Sequence, residues 1–158
     1  MNGIALVFDN YPAFMAWGQY EAALVHALTA PRVNNRHNLP VLPLLLQLAD
    51  VAKLRAAGDA LPVELPHVVY RGVAGRGAAR RVRGYSWTLD LDRAKWFATR
   101  LDLHDPAVFA VEATEETLAF YTDGRNEQEC FLVLPRPSDF VFVDEAPPLP
   151  RVRRVWKP

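Results

Sequence analysis

The sequence predicts an α+β fold in which helices come first and a mainly antiparallel sheet follows. The first third carries apolar residues at helical spacing, whereas from His67 onward they fall in short runs rich in β-branched and aromatic side chains. No regular crossover helices separate those short runs, which argues against a parallel α/β sheet and favours antiparallel pairing.

The first helix is predicted to begin at a capping site. Asp9 or Asn10 can act as the N-cap, and Pro12 suits the first turn of the helix. The apolar residues that follow share one helical face, which should pack on a core. They are Phe14, Trp17, Tyr20, Leu24, Val25 and Leu28.

A second helix is predicted after a polar break at residues 31–38. It should end in the region of Gly58 and Pro62, because both residues disfavour a continuing helix. Its apolar positions recur at helical spacing. They are Leu42, Leu45, Leu46, Ala49 and Ala52.

Strands are predicted in the rest of the chain, with one further helix among them. That helix should start after Thr88 or Asp90, since either side chain is a good N-cap. Its apolar face holds Ala94, Phe97, Ala98 and Leu101. The predicted strands are residues 68–71, 85–88, 108–111, 118–121, 127–134 and 140–143. The proline- and arginine-rich tail beyond them is expected to be poorly ordered or to lie on the surface.

Length and composition predict one globular domain spanning residues 1–158. Its parts are a helical region at 1–66, a β-rich core at 67–144 and a tail at 145–158. The chain is 51% apolar and 23% charged, which is typical of a folded protein. Lysine and arginine balance aspartate and glutamate at 18 each, so a polyanion site would have to be local.

Composition also predicts a cytosolic protein, of either the producing or a target cell, without a membrane partner. The longest apolar stretch, residues 39–49, is interrupted by prolines and is shorter than the roughly 20 residues that span a bilayer. The start of the sequence has no basic leader before a long apolar segment, and the lone Cys130 cannot form an internal disulfide. The histidines lack ligand spacing, so no metal site is predicted.

Two carboxylates stand two residues apart where a turn enters a predicted strand. Glu127 and Glu129 would point to the same side of that strand, with Cα atoms roughly 6.5 Å apart, and could share one site. A solvated strand edge is the alternative, because exposed glutamate is common. Cys130 points the other way and is predicted to be a buried, unreactive thiol.

Two earlier strands carry further polar groups. Ser86 and Thr88 share one strand face, where their hydroxyls could orient a carboxylate or a sugar, or simply cap a helix. Arg71 ends an apolar strand, and its planar guanidinium suits phosphate binding. The glycine that follows, Gly72, would let a ligand approach the backbone closely.

Two other motifs carry less information. Gly75 and Gly77 begin a dinucleotide-binding pattern, but Arg80 stands where its third glycine belongs, so a Rossmann fold is not predicted. The arginines of residues 76–83 could attract phosphates or RNA, or form a solvated loop. Both interpretations of that loop stay open.

Taken in order, residues 70–134 resemble the Arg-Ser-Glu class of mono-ADP-ribosyltransferases, the cholera-toxin-like group. The resemblance lies in a strand ending in arginine, a Ser-x-Thr strand before a helix with Phe-Ala, and a Glu-x-Glu that opens a later strand. It implies a two-sheet β core of the ADP-ribosyltransferase type, NAD as co-substrate and no metal. The middle segment departs from the usual Ser-Thr-Ser in its second and third residues.

The resemblance implies a role for each matching residue on the NAD side. Arg71 would grip the pyrophosphate or the nicotinamide-side ribose, and the Gly72 backbone would bond the nicotinamide amide. Ser86 and Thr88 would line the same site, with Ser86 positioning the catalytic glutamate. Phe97 is expected in the core rather than stacked on nicotinamide, because an apolar helix face predicts burial without a ligand.

The resemblance also divides the work between the two acids. Glu129 would be the catalytic glutamate, bonded to the ribose 2′-hydroxyl, and Glu127 the upstream acid that favours guanidinium acceptors. Cleavage of the nicotinamide bond builds positive charge on the ribose, as in glycoside hydrolysis, and a fixed carboxylate stabilises that charge. Trp87, on the opposite strand face, is expected in the core.

Three functions remain open at this point. The first is transfer of ADP-ribose from NAD to a protein arginine, by a bacterial or phage effector or toxin. The second is NAD hydrolysis or transfer to a nucleic acid, suggested by the arginines of residues 76–83. The third is an inactive module that binds NAD, ADP-ribose or a protein partner. The N-terminal helices could shape the adenine side of the site or dock a target.

Overall fold

A computed structural model describes residues 3–30, 40–136, 139, 142–145 and 147–158. The chain divides into two compact units, Met1–Ala60 and Leu61–Pro158. The first unit is helical, and the second holds a sheet together with an α-helix and a short 3-10 helix (Gly77–Ala79), in the predicted α+β order. Within the described ranges, no helix has the length and apolar character needed to cross a membrane.

The elements follow one another along the chain without overlap between the two units. The first unit contains α1 (Gly3–Ala16), α2 (Tyr20–Thr29), α3 (Leu42–Leu48) and α4 (Val51–Ala57). The second contains β1 (His67–Val73), β2 (Ser86–Thr88), α5 (Leu91–Thr99), β3 (Ala107–Ala113), β4 (Leu118–Thr122), β5 (Glu129–Leu132) and β6 (Arg153–Trp156).

The predicted start of the first helix is wrong. α1 begins at Gly3, so Asp9 and Asn10 lie inside it, and the Asn10 amide donates back to the Leu6 carbonyl at 2.9 Å. Pro12 also lies within the helix rather than in its first turn. The capping pattern misled because an asparagine inside a helix can bond the carbonyl four residues earlier instead of capping.

The predicted first helix is in fact two helices. Gly18 adopts φ 67°, and its N–H donates to the Met15 carbonyl while Gln19 N–H donates to the Phe14 carbonyl. This pair of bonds is a Schellman motif, which ends a helix at a left-handed glycine. Trp17, expected on the packed face, is 71% exposed as a result.

The second predicted helix also divides, into α3 and α4. Asp50 caps α4 by accepting a hydrogen bond from Lys53 N–H at 3.0 Å, and its own N–H donates to Glu21 at 2.9 Å. In the same unit the buried Tyr20 hydroxyl donates to the Leu45 carbonyl at 2.7 Å, and burial raises the pKa of Tyr20 to about 12. These contacts join α2 to α3 and to the start of α4. The polar break predicted at residues 31–38 lies outside the described residues.

The strands form one sheet in the order β4-β5-β2-β1-β3-β6, with antiparallel neighbours throughout. The expectation of two sheets is therefore wrong for the described residues. The reason lies in β2: Thr88 pairs with Tyr70 of β1 on one side and with Glu129 of β5 on the other. That short strand joins the two halves into a continuous sheet.

The ends of the sheet differ from prediction. β5 is shorter than the predicted 127–134 strand, because Gln128 has φ 47° and interrupts the extended chain. Of the strand predicted at 140–143, residues 140 and 141 lie outside the described residues, and 142 and 143 are not in a strand. The tail contributes β6, which pairs with the edge of β3, so the tail is ordered there and the alternative expectation, that it lies on the surface, holds. Its largely exposed residues lack the apolar pattern that predicts a strand.

Helix α5 packs on one face of the sheet through its smallest residues. Asp90 caps it, accepting from Asp92 N–H at 2.9 Å and Arg93 N–H at 3.3 Å, which confirms one of the two predicted caps. Ala94 and Ala98 are buried against Val108, whereas Leu101 is exposed. Phe97 is only half-buried and is not part of this cluster, so its predicted place in the core is wrong.

A second apolar cluster contains the tryptophan and the cysteine that were predicted to be buried. Trp87 is 2% exposed and Cys130 1% exposed, which confirms both predictions. Burial, with a smaller effect of Glu129, raises the pKa of Cys130 to about 12, so the thiol is protonated at neutral pH. The buried members of this cluster are Val69, Trp87, Val111, Ala113, Leu118, Tyr121, Cys130 and Leu132.

Candidate active site

Strands β1 and β2 separate soon after they meet, and Arg71 spans the gap. The described register between them is a single pair, Tyr70 with Thr88. One residue further along β1, Arg71 Nη1 donates to the Ser86 carbonyl at 2.6 Å, and its Nε donates to the Arg81 carbonyl at 2.7 Å. Two backbone carbonyls thus hold the guanidinium in place between the diverging strands.

Among the described residues, no contacting carboxylate balances the charge of Arg71. Loss of water, and to a smaller extent the Arg81 cation, lowers the pKa of Arg71 to about 10, although Glu129 acts in the opposite direction. The group therefore stays positive at neutral pH. Within the described part of the chain, its hydrogen bonds go to neutral carbonyls and no acid lies within ion-pair distance of it. A fixed cation without an anionic partner is suited to an anionic ligand.

Gly84 leaves the space that the Arg71 guanidinium fills. A Cβ at this position would overlap Arg71 Nη2 and Cζ and would lie 2.9 Å from Nε. The Gly84 carbonyl accepts a hydrogen bond from Trp87 Nε1 at 2.8 Å, which holds the glycine in place. The sequence offers no signal for this role, because Gly84 and Arg71 are far apart along the chain.

Glu129 is the buried acid of the site, with 7% of its surface exposed. The register pairs Thr88 with Glu129 and Ser86 with Phe131, so Ser86, Thr88 and Glu129 share one face of the sheet. Desolvation raises the pKa of Glu129, and nearby Glu127 adds to this effect. A hydrogen bond from Ser86 and the charge of Arg125 act in the opposite direction. Burial thus dominates, and Glu129 holds its proton more tightly than an exposed glutamate does.

The two acids come together, but not by the strand alternation that suggested it. Glu127 lies in the turn before β5, and the left-handed Gln128 separates it from the strand. A single nitrogen, Arg125 Nη2, lies 3.0 Å from Glu127 Oε2 and 3.2 Å from Glu129 Oε2. Arg125 was not singled out in the sequence, although a cation so close to a pair of acids was an available signal.

Thr88 stabilises the backbone of the site through its hydroxyl group. It is 3% exposed, and its hydroxyl donates to the Glu127 carbonyl at 2.7 Å and accepts from Asp90 N–H at 3.1 Å. Leu89 N–H donates to the Gln128 carbonyl at 3.1 Å beside it. Because its hydroxyl bonds the backbone of Glu127 and Asp90, Thr88 supports the backbone around the acids. The sequence had left open a carboxylate, a sugar or a helix cap as its partner.

Gly72 has a different neighbour from the one expected. A Cβ there would overlap the Ala94 carbonyl oxygen and lie 2.7 Å from Ala98 N, both in the backbone of α5. The missing side chain thus allows close approach of a helix. Packing against α5 is enough to explain why this position is glycine. The structure does not require close approach of a ligand as the reason.

The arginine-rich loop is tied to its surroundings. Arg80 Nη1 donates to the Asp105 carbonyl, and Arg83 Nη2 donates to the Pro135 carbonyl at 3.1 Å. From the same loop, the Arg81 carbonyl accepts the hydrogen bond from Arg71 Nε. The loop thus helps to shape the site and is more than a freely solvated segment.

The described residues bring Arg71, Ser86, Glu127 and Glu129 into one region, and Arg125 joins them. No group of three or more histidine, cysteine, aspartate or glutamate side chains in this part of the chain could hold a metal ion. Comparison of the chain with protein-family models, with curated proteins and with solved structures finds no match in any of the three. The function is therefore inferred from the chemistry of these side chains.

Proposed function

We propose that this protein is an NAD-dependent mono-ADP-ribosyltransferase that transfers ADP-ribose to a protein arginine and releases nicotinamide. The observation that carries the proposal is the buried Glu129 on the same sheet face as Ser86, with Glu127 sharing its Arg125 contact and Arg71 bonded to the Ser86 carbonyl. These residues meet the needs of the reaction, which are an anchor for an anionic dinucleotide, a fixed carboxylate and a second acid for the acceptor.

Arg71 would bind the diphosphate of NAD. Its guanidinium is already held by the Arg81 and Ser86 carbonyls, so little side-chain freedom is lost when a ligand binds. Its charge is partly desolvated and has no acid in contact among the described residues, which strengthens its attraction for a phosphate. Bound NAD supplies an ADP-ribosyl group whose leaving group, nicotinamide, departs as a neutral molecule.

Glu129 would stabilise the positive charge that develops on the ribose. The carboxylate is buried, and the Ser86 hydroxyl orients it, so it needs no rearrangement when the charge forms. Only the ionised form can do this. Because burial raises the pKa of Glu129, the proposal predicts that activity falls at a higher pH than the pKa of an exposed glutamate would suggest.

Glu127 would receive the acceptor. It lies at the more open side of the acid pair, with 22% of its side chain exposed against 9% for Glu129. The contact with Arg125 Nη2 supports an arginine acceptor, because a guanidinium fits between the two carboxylates in this very structure. An acceptor guanidinium bound between the two carboxylates would lie next to Glu127, which could accept its proton.

The first experiment compares wild type with Glu129→Gln and a matched control, Glu112→Gln, which makes the same change at an exposed position of β3. Each protein is incubated with NAD and agmatine, a small soluble guanidine, and then with a cell lysate. Nicotinamide release and ADP-ribose attachment are followed by mass spectrometry. Removal of Glu129 should lower release by roughly 100- to 1,000-fold, while the control keeps the wild-type rate.

Each of the other outcomes selects another function. NAD loss without labelled guanidine or protein would indicate hydrolysis or a nucleic-acid acceptor, and RNA or DNA added to the same assay would separate these two. If neither wild type nor the control released nicotinamide or attached ADP-ribose, the proposal would be overturned in favour of an inactive binding module. ADP-ribose attached to a protein of the lysate would identify the target that an effector or toxin is expected to have.

A further inference from the structure

The turn of residues 123–128, which contains Glu127 and precedes β5, is held by hydrogen bonds from inside and outside the turn. The Asp123 carboxylate accepts from Gln128 N–H at 3.0 Å, and its carbonyl accepts from Asn126 N–H at 2.8 Å. From outside the turn, Arg93 Nη2 donates to the Asn126 carbonyl at 3.0 Å. These bonds fix the backbone on both sides of Arg125.

Arg125 therefore presents its guanidinium to both acids at once. Nη2 lies 3.0 Å from Glu127 Oε2 and 3.2 Å from Glu129 Oε2, and 40% of the Arg125 side chain is exposed. A half-exposed ion pair adds little stability, because water screens it. Its position matters more than its strength, since this nitrogen lies where the proposed reaction needs the nitrogen of an acceptor.

We propose that Arg125 is a self-modification site, an acceptor of ADP-ribose within the same chain. This inference rests on the proposed function. In the reaction a bond forms between Arg125 Nη2 and the anomeric carbon of the nicotinamide-side ribose. The bond from that carbon to the nicotinamide nitrogen breaks, and its electron pair leaves with neutral nicotinamide. The proton released from Nη2 passes to Glu127 and then to solvent.

Attachment within the chain has a kinetic advantage and a consequence. A tethered group acts at an effective concentration in the millimolar range or above, so Arg125 competes well with a free guanidine. Once modified, its side chain carries a bulky dianion beside Glu127 and Glu129. The modified chain should then cleave further NAD slowly, so that one ADP-ribosyl group per chain limits the reaction.

The test compares wild type with Arg125→Lys, which keeps a cation beside the acids but removes the guanidine. The matched control is Arg154→Lys, the same change at an exposed position of β6. Each protein receives NAD with and without about 0.1 mM agmatine, roughly a tenth of the millimolar effective concentration of a tethered group. Peptide mapping by mass spectrometry locates the label, and nicotinamide release is timed at several protein concentrations.

Wild type and the control should gain one ADP-ribosyl group at Arg125, with a burst of one nicotinamide per chain. The rate constant of this burst should not change with protein concentration. Arg125→Lys should lack the label and should label agmatine about tenfold faster, because the tethered competitor is gone. That labelling also shows that the variant is folded.

Agmatine labelling by wild type without a label on Arg125 would overturn the inference and leave the proposed function standing. Labelling at another arginine, or a burst whose rate constant rises with protein concentration, would overturn it too. If wild type neither releases nicotinamide nor labels agmatine, the proposed function itself fails.

Discussion

A methyl group added to Gly72 should destabilise the protein even without a ligand. In Gly72→Ala the new Cβ would overlap the Ala94 carbonyl oxygen and lie 2.7 Å from Ala98 N. Both are backbone atoms of α5, which cannot rotate away as the end of a side chain can. The helix would have to lift from β1, where Ala94 and Ala98 are almost fully buried.

The expected loss follows from the cost of an overfilled core. Overpacking costs about 1–3 kcal/mol, and a clash with helix backbone belongs at the upper end of that range. For a unit of roughly 100 residues, each kcal/mol lowers the melting temperature by about 4–8 °C, so about 3 kcal/mol predicts a fall of roughly 12–24 °C. Thermal unfolding followed by circular dichroism, without NAD, measures it.

Gly124→Ala is the matched control. A Cβ at Gly124 would meet Thr122 Oγ1 at 3.6 Å, an ordinary contact, so its stability should stay within about 0.5 kcal/mol of wild type. If Gly72→Ala melts like wild type and only its KM for NAD rises, the packing argument is refuted. The glycine would then serve ligand approach, as the sequence alone suggested.

Three further predictions concern the site. Gly84→Ala should push the Arg71 guanidinium off its carbonyls and raise the KM for NAD by about 10- to 100-fold, since a charged hydrogen bond contributes about 1.5–3 kcal/mol. Glu129→Gln should be more stable than wild type in urea at pH 7. The reason is that folding raises the pKa of Glu129, so the folded wild type loses stability as this carboxyl ionises. The difference in stability should disappear below a pH of about 4.3, where the carboxyl is protonated in both the folded and the unfolded state. Glu127→Gln removes a like charge that raises the pKa of Glu129, so the acid limb of nicotinamide release should move to lower pH in a pH-rate profile.

Each of these predictions has an outcome that counts against it. An unchanged KM in Gly84→Ala would mean that the Arg71 position does not govern NAD binding. Equal stability of Glu129→Gln and wild type at pH 7 would show that burial of the charged carboxylate carries no cost. An acid limb that stays in place in Glu127→Gln would show that the two acids do not interact electrostatically.

Local patterns predicted much of the second unit. Alternating and apolar runs located β1 to β4 and the core of β5, and Asp90 was a recognisable cap for α5. The first unit was predicted less well, because Gly18 and Asp50 divide two apparently continuous helical patterns. A left-handed glycine and a cap act within a few residues, so periodicity over a longer window conceals them.

The candidate site was predicted by residue type more than by geometry. Glu127 and Glu129 were expected to meet through strand alternation, but they meet at Arg125 after a left-handed Gln128. The Thr88 hydroxyl was expected to orient a carboxylate or a sugar or to cap a helix, and in the structure it donates to the Glu127 carbonyl. Side-chain chemistry is visible in a sequence, whereas the partner of a hydroxyl depends on how the chain folds back on itself.

The sequence by itself determined the α+β order, the burial of Trp87 and Cys130 and the types of side chain available for chemistry. These features depend on local periodicity and on the transfer of apolar groups from water. Only the tertiary structure decided that β2 joins one sheet, that Gly72 makes room for α5 and that Gly84 makes room for Arg71. Each of these depends on the distance between atoms far apart along the chain, which packing and backbone pairing set together.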